Sequence, residues 1–103
     1  MHLNDYQHKA VATAQYDDPM YPICSVMVEA AELADLFIKP WLRGDMDDPN
    51  RAEVISEAGD VLWNLANLLK DMEITLEEVV QYNIKKIEDR SERGVIEGRG
   101  GNR

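Results

Sequence analysis

The chain has 103 residues, and 20 Asp and Glu against 11 Lys and Arg give it a formal net charge of −9. This length predicts one domain, and the charge argues against a nucleic-acid polymer as the main partner, because a phosphate backbone needs a basic face. A small anionic ligand bridged by a divalent cation stays compatible with this charge. The single cysteine, Cys24, excludes an internal disulfide and fits a reducing compartment. Cys24 lies in an apolar run, so we expect it to be buried.

The sequence shows no signal that would direct the chain into or across a membrane. The N-terminal stretch MHLNDYQHKA has neither the basic nor the apolar region of a secretory signal. The longest apolar segment, VLWNLANLL, is interrupted by asparagines and is far shorter than the ~20 residues that a membrane span needs. We therefore expect a soluble cytoplasmic protein with no membrane partner.

Helical periodicity dominates the first half of the chain. The first predicted helix runs from about Asn4, as its N-cap, to Gln15, and the turn signal DDPMYP ends it. The second is expected to begin at Pro22, where a missing N–H costs nothing in the first turn. It is predicted to end near Lys39, before Pro40.

Two further helices are predicted after the loop PWLRGDMDDPN. The third has Asp48 as its N-cap and Pro49 in its first turn, and it is expected to end near Asp71. The fourth opens with TLEE, a capping box, and extends to about Arg90 or Glu92. Since no strand alternation is visible, the four segments predict an all-α, four-helix bundle.

We expect one domain over residues 1–93, followed by an irregular tail over residues 94–103. The tail holds four of the six glycines. The third helix carries a broad apolar stripe suited to a bundle core. It carries a second stripe of acids and amides at steps of three and four, formed by Glu53, Glu57, Asp60, Asn64 and Asn67. Such a helix can face a core and a polar cleft at once.

Two short stretches place acids three positions apart, Glu29-Ala-Ala-Glu32 and Glu57-Ala-Gly-Asp60. Solvated helix surfaces usually pair acids with Lys or Arg at i+4, and neither stretch offers such a partner. Two neighbouring helices would bring four carboxylates to one cleft, where oxygen ligands without His or Cys favour Mg²⁺, Mn²⁺ or Ca²⁺. Both histidines lie outside the pairs, which argues against a di-iron site. The competing interpretation is a solvated acidic surface.

A basic stripe follows on the fourth predicted helix. Asn83, Lys86 and Arg90 recur at steps of three and four, and Arg93 lies just beyond. Arg binds phosphate oxygens as a bidentate fork and Lys binds them as a point charge. Taken alone, these residues are more typical of helix C-terminal cations that the helix dipole favours. Beside a divalent-ion site, they favour a metal-bridged polyphosphate.

This ordered set of motifs resembles the MazG-like all-α nucleotide pyrophosphohydrolases, especially short single-domain forms from bacteria and phages. The segments LNDYQHKA, EAGDVLWNLANLL, TLEEVVQYNIKKIEDR and GVIEGRGGNR are also similar, so the resemblance covers nearly the whole chain. The matching motif reads Glu29-x-x-Glu32, Glu57-x-x-Asp60, then Asn83-x-x-Lys86-x-x-x-Arg90-x-x-Arg93-Gly94.

The resemblance implies hydrolysis of a nucleoside triphosphate between its α and β phosphates, which releases the monophosphate and pyrophosphate and controls or cleans the nucleotide pool. The two acidic pairs match the family's Mg²⁺ ligands, with Mn²⁺ as a possible substitute, and Asn83, Lys86 and Arg90 match positions that contact the nucleotide. A homodimer or homotetramer is also implied. The chain departs from the family at Val28, where many members carry a further Glu.

The sequence leaves open how the base is recognised, and it leaves two alternatives to this function. The candidates for stacking on a base are Trp41, Trp63, Tyr16 and Tyr82, although an aromatic residue in a helical bundle is more often core or interface. Asn64 and Asn67 are candidates for reading a base edge or a ribose hydroxyl, or else for a helix–helix hydrogen bond. One alternative keeps the fold and hydrolyses dUTP or a phosphoribosyl-ATP. The other is a non-catalytic helical oligomerisation module whose acids only bind cations or keep it soluble.

Overall fold

Four α-helices make up most of residues 1–45 and 47–94, the part of the chain that the computed structural model describes. These ranges contain no strand, which confirms the all-α class; residues 95–103 of the predicted tail lie outside them. The helices are α1 (Leu3–Ala12), α2 (Met20–Leu42), α3 (Arg51–Asp71) and α4 (Leu76–Glu92). The end of α3 at Asp71 and that of α4 at Glu92 agree with the predictions.

The start of α1 differs from the prediction, because Asn4 does not cap this helix. His2 occupies the N-cap position, and its backbone N–H donates to the Asp5 carboxylate at 3.0 Å. The Asn4 side chain instead accepts a hydrogen bond from the Glu77 N–H in the first turn of α4, at 3.2 Å. Asn4 therefore caps a helix that lies more than seventy positions away in sequence, and α1 ends at Ala12 rather than Gln15.

α2 is longer than predicted at both ends, and it passes through Pro40. Proline removes one intrahelical donor, a cost inside a helix, yet α2 continues through Pro40 to Leu42. Beyond it, Asp45 N–H donates to the Pro40 carbonyl at 2.9 Å and Gly44 N–H donates to the Trp41 carbonyl at 3.1 Å. Gly44 has φ 73, the left-handed conformation that this C-terminal motif needs. The Gly44 turn, and not Pro40, ends the helix.

Side-chain caps set the starts of α3 and α4. The Asn50 side chain accepts a hydrogen bond from Glu53 N–H at 3.1 Å, so α3 begins at Arg51 and the prediction of Asp48 as its N-cap was wrong. The capping box of α4 is confirmed, because Thr75 N–H donates to the Glu78 carboxylate at 2.7 Å and Glu78 N–H donates to the Thr75 hydroxyl at 3.1 Å.

The helices pack mainly as an α2–α3 pair, with α1 lying on α3 and α4. Among the described residues, the buried apolar core is small and consists of Ala10, Ala66 and Leu76. It is extended by partly buried side chains that pack against it, namely Leu3, Tyr6, Trp63, Leu65 and Leu69. None of the helices in the described part of the chain is long and apolar enough to span a bilayer.

Gln7 links α1 to the turn between α3 and α4. Its side-chain NH₂ donates to the carbonyl oxygens of Ala66, at 3.1 Å, and Ile74, at 3.0 Å. Its side-chain oxygen accepts the Leu76 N–H at 2.9 Å. Gln7 is only 5% exposed. One buried amide therefore satisfies three backbone groups and fixes α1 on the helices that follow it.

One face of α2 is apolar and exposed in the single chain. Its large side chains are Met20, Ile23, Met27, Phe37 and Trp41. The exposed Ala30 and Ala34 lie between Met27 and Phe37 and complete a stripe with steps of three and four. The same helix holds Cys24, which is exposed, so the prediction of a buried Cys24 was wrong. The apolar run that suggested burial lies partly on a side of α2 that α3 does not cover.

Candidate metal centre

Three of the four predicted acids meet between α2 and α3. One carboxylate oxygen from each of Glu29, Glu57 and Asp60 lies within 4.8 Å of the other two. Glu29 and Glu57 are half-buried, whereas Asp60 is exposed. Glu57 and Asp60 share one side of α3 because they are three positions apart, and the packing of α2 on α3 brings Glu29 to them.

Glu32, the fourth predicted acid, borders this cluster and interacts with it electrostatically. Partial burial is the main cause that raises the pKa of Glu29, and the neighbouring Glu32 carboxyl and the charges of Asp60 and Glu57 add to it. Partial burial also raises the pKa of Glu57, and the charges of Glu32 and Asp60 add to it. The cluster therefore disfavours its own negative charge when no cation compensates it.

The donor set of this cluster fits a hard divalent cation. Oε2 of Glu29 and Oε2 of Glu57 are buried, and within the described residues neither accepts a hydrogen bond. A buried acceptor without a partner costs about 1–3 kcal/mol. A bound cation would satisfy both atoms and compensate the like charges, and all-oxygen ligands suit Mg²⁺, Mn²⁺ or Ca²⁺.

Asn64 adds a third buried oxygen near this cluster. It lies one helical turn beyond Asp60 and is 5% exposed. Its side-chain NH₂ donates to the Asp60 backbone carbonyl at 2.9 Å. Its Oδ1 is buried and accepts no hydrogen bond from the described residues. The NH₂ contact orients the amide, so Oδ1 is an acceptor available for a bound water or a substrate hydroxyl or amino group.

The basic stripe lies on α4, which packs on α1 more than on the α2–α3 pair. Asn83 is exposed, while Lys86 and Arg90 are partly buried. The Lys86 ammonium lies 5.7 Å from the centroid of the Tyr82 ring. Arg93 pairs with Asp89, one turn earlier on α4, at 2.8 Å. It stays a prediction that these side chains bind the same nucleotide as the acid cluster.

Trp63 belongs partly to the core and partly to a cleft. Its indole N–H donates to the Thr13 hydroxyl at 2.9 Å, and its ring packs against the buried core residues. It also lines a cleft of about 560 Å³ with Tyr16 and Tyr21. The tyrosine rings are stacked, with centroids 5.7 Å apart. Sequence reasoning had not singled out Tyr21, which lies in the predicted turn region before the second helix.

The chain matches the profile of a known protein family. The profile described as the MazG nucleotide pyrophosphohydrolase domain matches residues 23–95, well over half of the chain and a range that includes both acidic pairs. The chain belongs to the MazG family. The MazG domain also brings the general expectation of metal-dependent nucleotide pyrophosphohydrolase activity. α1 lies before the matched range.

A phage protein is similar to this MazG chain over its full length. The Gene 37 protein of Mycobacterium phage L5 is 35% identical over 115 residues, and the alignment covers 100% of both chains. No solved structure matches the chain. The resemblance to the MazG-like family is thus confirmed by the family match, and the name of the phage relative states no activity.

The stability of the metal-free MazG domain should fall as the pH rises. The carboxyls of Glu29 and Glu57 have an ordinary pKa of 4.5, which the folded chain raises. Between the ordinary and the raised pKa the folded state holds more protons than the unfolded state, so their contribution is fully present at low pH and is lost as the pH rises through the raised pKa.

Melting temperatures in EDTA across a pH series would check this dependence. Other acids titrate in the same range, so the informative quantity is the difference between wild type and Glu57→Gln. We expect that difference to grow in favour of the variant as the pH rises, and Mg²⁺ to stabilise the wild type most at high pH. A variant that melts below the wild type by a constant amount at every pH would contradict the argument.

Proposed function

We propose that this MazG chain is a Mg²⁺-dependent pyrophosphohydrolase of ribo- or deoxyribonucleoside triphosphates, which produces the nucleoside monophosphate and pyrophosphate. The observation that carries the proposal is the convergence of Glu29, Glu57 and Asp60 with two buried carboxylate oxygens that lack donors. A nucleoside triphosphate with bound Mg²⁺ brings both the cation that this cluster needs and the phosphate charge that the basic stripe suits.

The acids and the basic stripe divide the reaction between them. Glu29, Glu57 and Asp60 would hold Mg²⁺, with Glu32 at the edge of the cluster, and the bound ion would acidify a water and neutralise phosphate charge. A carboxylate of the cluster accepts the proton of the attacking water. The water oxygen bonds to the α-phosphorus as the bond from that phosphorus to the bridging oxygen breaks, and pyrophosphate leaves with the electron pair.

The cationic side chains of α4 are assigned to the departing pyrophosphate. Lys86 and Arg90 neutralise its charge, Asn83 contributes an amide contact, and Arg93 joins them by exchanging its exposed pair with Asp89 for phosphate oxygens. Together with Trp63 and Asn64 they form the proposed substrate-binding set. We propose that this machinery is contained in one domain over residues 1–93.

A product-resolved assay tests the proposed reaction. Purified protein is incubated with each common ribo- and deoxyribonucleoside triphosphate, with Mg²⁺, with Mn²⁺ and with EDTA, and the products are separated by chromatography. We expect monophosphate and pyrophosphate in equal amounts, and only with metal. Orthophosphate as the product would refute the proposed bond. No turnover from folded protein would favour the non-catalytic module.

Asn64 should act on the substrate or on a metal-bound water rather than on the fold. Replacing it with leucine exchanges an acceptor that lacks a donor for an apolar side chain of similar size, so we expect an unchanged or higher melting temperature without metal. We expect kcat/KM to fall about tenfold or more, as for other residues that orient a metal site. A lower melting temperature with unchanged kcat/KM would show that Asn64 is only structural.

We further propose that the chain works as a homodimer or homotetramer, with the exposed apolar stripe of α2 in the interface. The stripe offers a continuous apolar surface on a chain whose own buried core is small. Met27 is 69% exposed in the single chain. In a monomer, Met27→Lys would change stability by less than about 0.5 kcal/mol, as is usual for exposed positions.

In an oligomer, Met27→Lys would bury an unpaired charge, so we expect smaller assemblies and a lower melting temperature. Light scattering coupled to size-exclusion chromatography measures the assembly. Glu88→Lys, an exposed change on α4, serves as the matched control and should leave the mass unchanged. Equal masses for wild type and Met27→Lys would show that this stripe does not lie in the interface.

A further inference from the structure

The cleft beside Trp63 is a second concave site that the acid cluster does not use. Its volume is about 560 Å³, within the usual range for small-molecule sites. It begins one helical turn from the acids, because Trp63 follows Asp60 by three positions on α3 and such residues have Cβ atoms roughly 5–6 Å apart. If the phosphates of a ligand bind at the acid cluster, the group attached to those phosphates would thus reach the cleft.

Aromatic rings form the walls of this cleft. Tyr16 and Tyr21 are stacked with an angle of 17° between their planes, and Tyr21 is 54% exposed. The Tyr16 hydroxyl donates to the Asp71 carboxylate at 3.0 Å, and the Trp63 indole N–H donates to Thr13. Because these two polar tips are already engaged, Tyr16 and Trp63 offer their ring faces to the cleft, and ring faces bind planar aromatic ligands by stacking.

The polar groups at the cleft suit a ligand that donates hydrogen bonds. Asp17 and Asp18 line it, and none of its described lining residues is Lys, Arg or His. Asp18 Oδ1 accepts the Met20 N–H at 2.9 Å, which holds this carboxylate in place at the start of α2. Carboxylates repel phosphate and accept hydrogen bonds from amino groups, as Asp and Glu do from the amino group of cytosine.

We propose that this cleft binds the base of the nucleotide and favours bases with an exocyclic amino group, such as cytosine, over uracil and thymine. Uracil presents a carbonyl oxygen where cytosine presents its amino group, and that oxygen would face carboxylates. The proposal rests on the proposed function and deepens it, because it names the substrate class and excludes the dUTP alternative.

Nucleosides without phosphates test the cleft separately from the metal and from hydrolysis. Deoxycytidine and deoxyuridine are a matched pair that differs at this amino group and at the adjacent N3, which is an acceptor in cytosine and an N–H in uracil. In a Trp41→Phe background, Trp63 is the remaining tryptophan and its fluorescence reports binding in the cleft. We expect deoxycytidine to bind about tenfold more tightly than deoxyuridine. Equal affinity for both nucleosides, or no response to either, would overturn the proposal.

Variants of the cleft identify the groups responsible. Tyr21→Ala should weaken the binding of both nucleosides by removing the stacking face. The double variant Asp17→Asn, Asp18→Asn should abolish the preference while retaining an oxygen for the Met20 N–H. Asp47→Asn, an exposed change in the α2–α3 loop, is the matched control and should preserve the preference. A preference that survives the double variant would show that these carboxylates do not select the base.

Turnover of dCTP and dUTP separates this inference from the proposed reaction. Equal kcat/KM for the two substrates would overturn the selection by the cleft and leave the reaction intact. An absence of turnover together with selective binding of deoxycytidine would refute the reaction and support the cleft. We expect a higher kcat/KM for dCTP in the wild type and a ratio near one in the double variant.

Discussion

Replacing Glu57 with glutamine should reduce metal-dependent pyrophosphate release by more than about 100-fold and leave the chain folded. Changes in groups that only orient metal ligands already cost roughly 10–100-fold, and Glu57 lies in the acid cluster itself. Glutamine keeps the shape of the side chain and removes its charge. Because the cluster raises the pKa of Glu57, the neutral side chain should also relieve repulsion in the metal-free protein.

Activity and metal binding should change together in this variant. Calorimetric titration with Mn²⁺ would measure affinity, and circular dichroism would confirm that the helices are retained. Glu88→Gln, an exposed change on α4, is the matched control and should retain wild-type turnover. If the activity of Glu57→Gln stays within about threefold of the wild type, Glu57 is not a ligand of the metal. A collapse of helicity would show a structural role instead.

The largest expected effect on stability belongs to Gln7→Ala, at about 2–4 kcal/mol. The substitution leaves the Leu76 N–H without its acceptor and the Ile74 carbonyl without this donor, in a region where Gln7 itself is 5% exposed. Each buried polar group left unsatisfied costs about 1–3 kcal/mol. Since small domains are stable by only 5–15 kcal/mol in total, this one amide would account for a large share.

Urea unfolding at one fixed protein concentration would measure this loss, since assembly makes stability depend on concentration. Gln81→Ala is the matched control, because the Gln81 amide donates to Glu77 at the surface of α4 and its removal should cost less than about 0.5 kcal/mol. If Gln7→Ala and Gln81→Ala unfold at the same urea concentration, the three buried hydrogen bonds contribute no net stability.

Local signals explain which parts of the fold could be predicted from the sequence. The capping box at Thr75 involves residues three positions apart, and the structure forms it as expected. The start of α3 was misplaced because two capping residues, Asp48 and Asn50, lie two positions apart and only the structure shows which one accepts the backbone N–H. Pro40 was a misleading stop signal, because α2 continues through it and ends at the Gly44 turn.

Contacts between distant segments explain the rest. Gln7 meets partners 59 to 69 positions away, and no local pattern reveals such a contact. An apolar stripe has the same spacing whether it faces the chain's own core or solvent, so Cys24 was misassigned. The acidic pairs were visible as spacing, whereas their convergence depended on how α2 packs on α3. Asp17 and Asp18 appeared only as part of a turn.

The contacts of Gln7 also have a consequence for the order in which the chain matures during synthesis. The ribosome makes α1 before the helices on which it packs, and all three side-chain hydrogen bonds of Gln7 need residues between Ala66 and Leu76. At 5–20 residues per second, those partners follow roughly 3–14 seconds later. During that interval the nascent N-terminal helix has no docking surface, and a segment of this length is only marginally helical by itself.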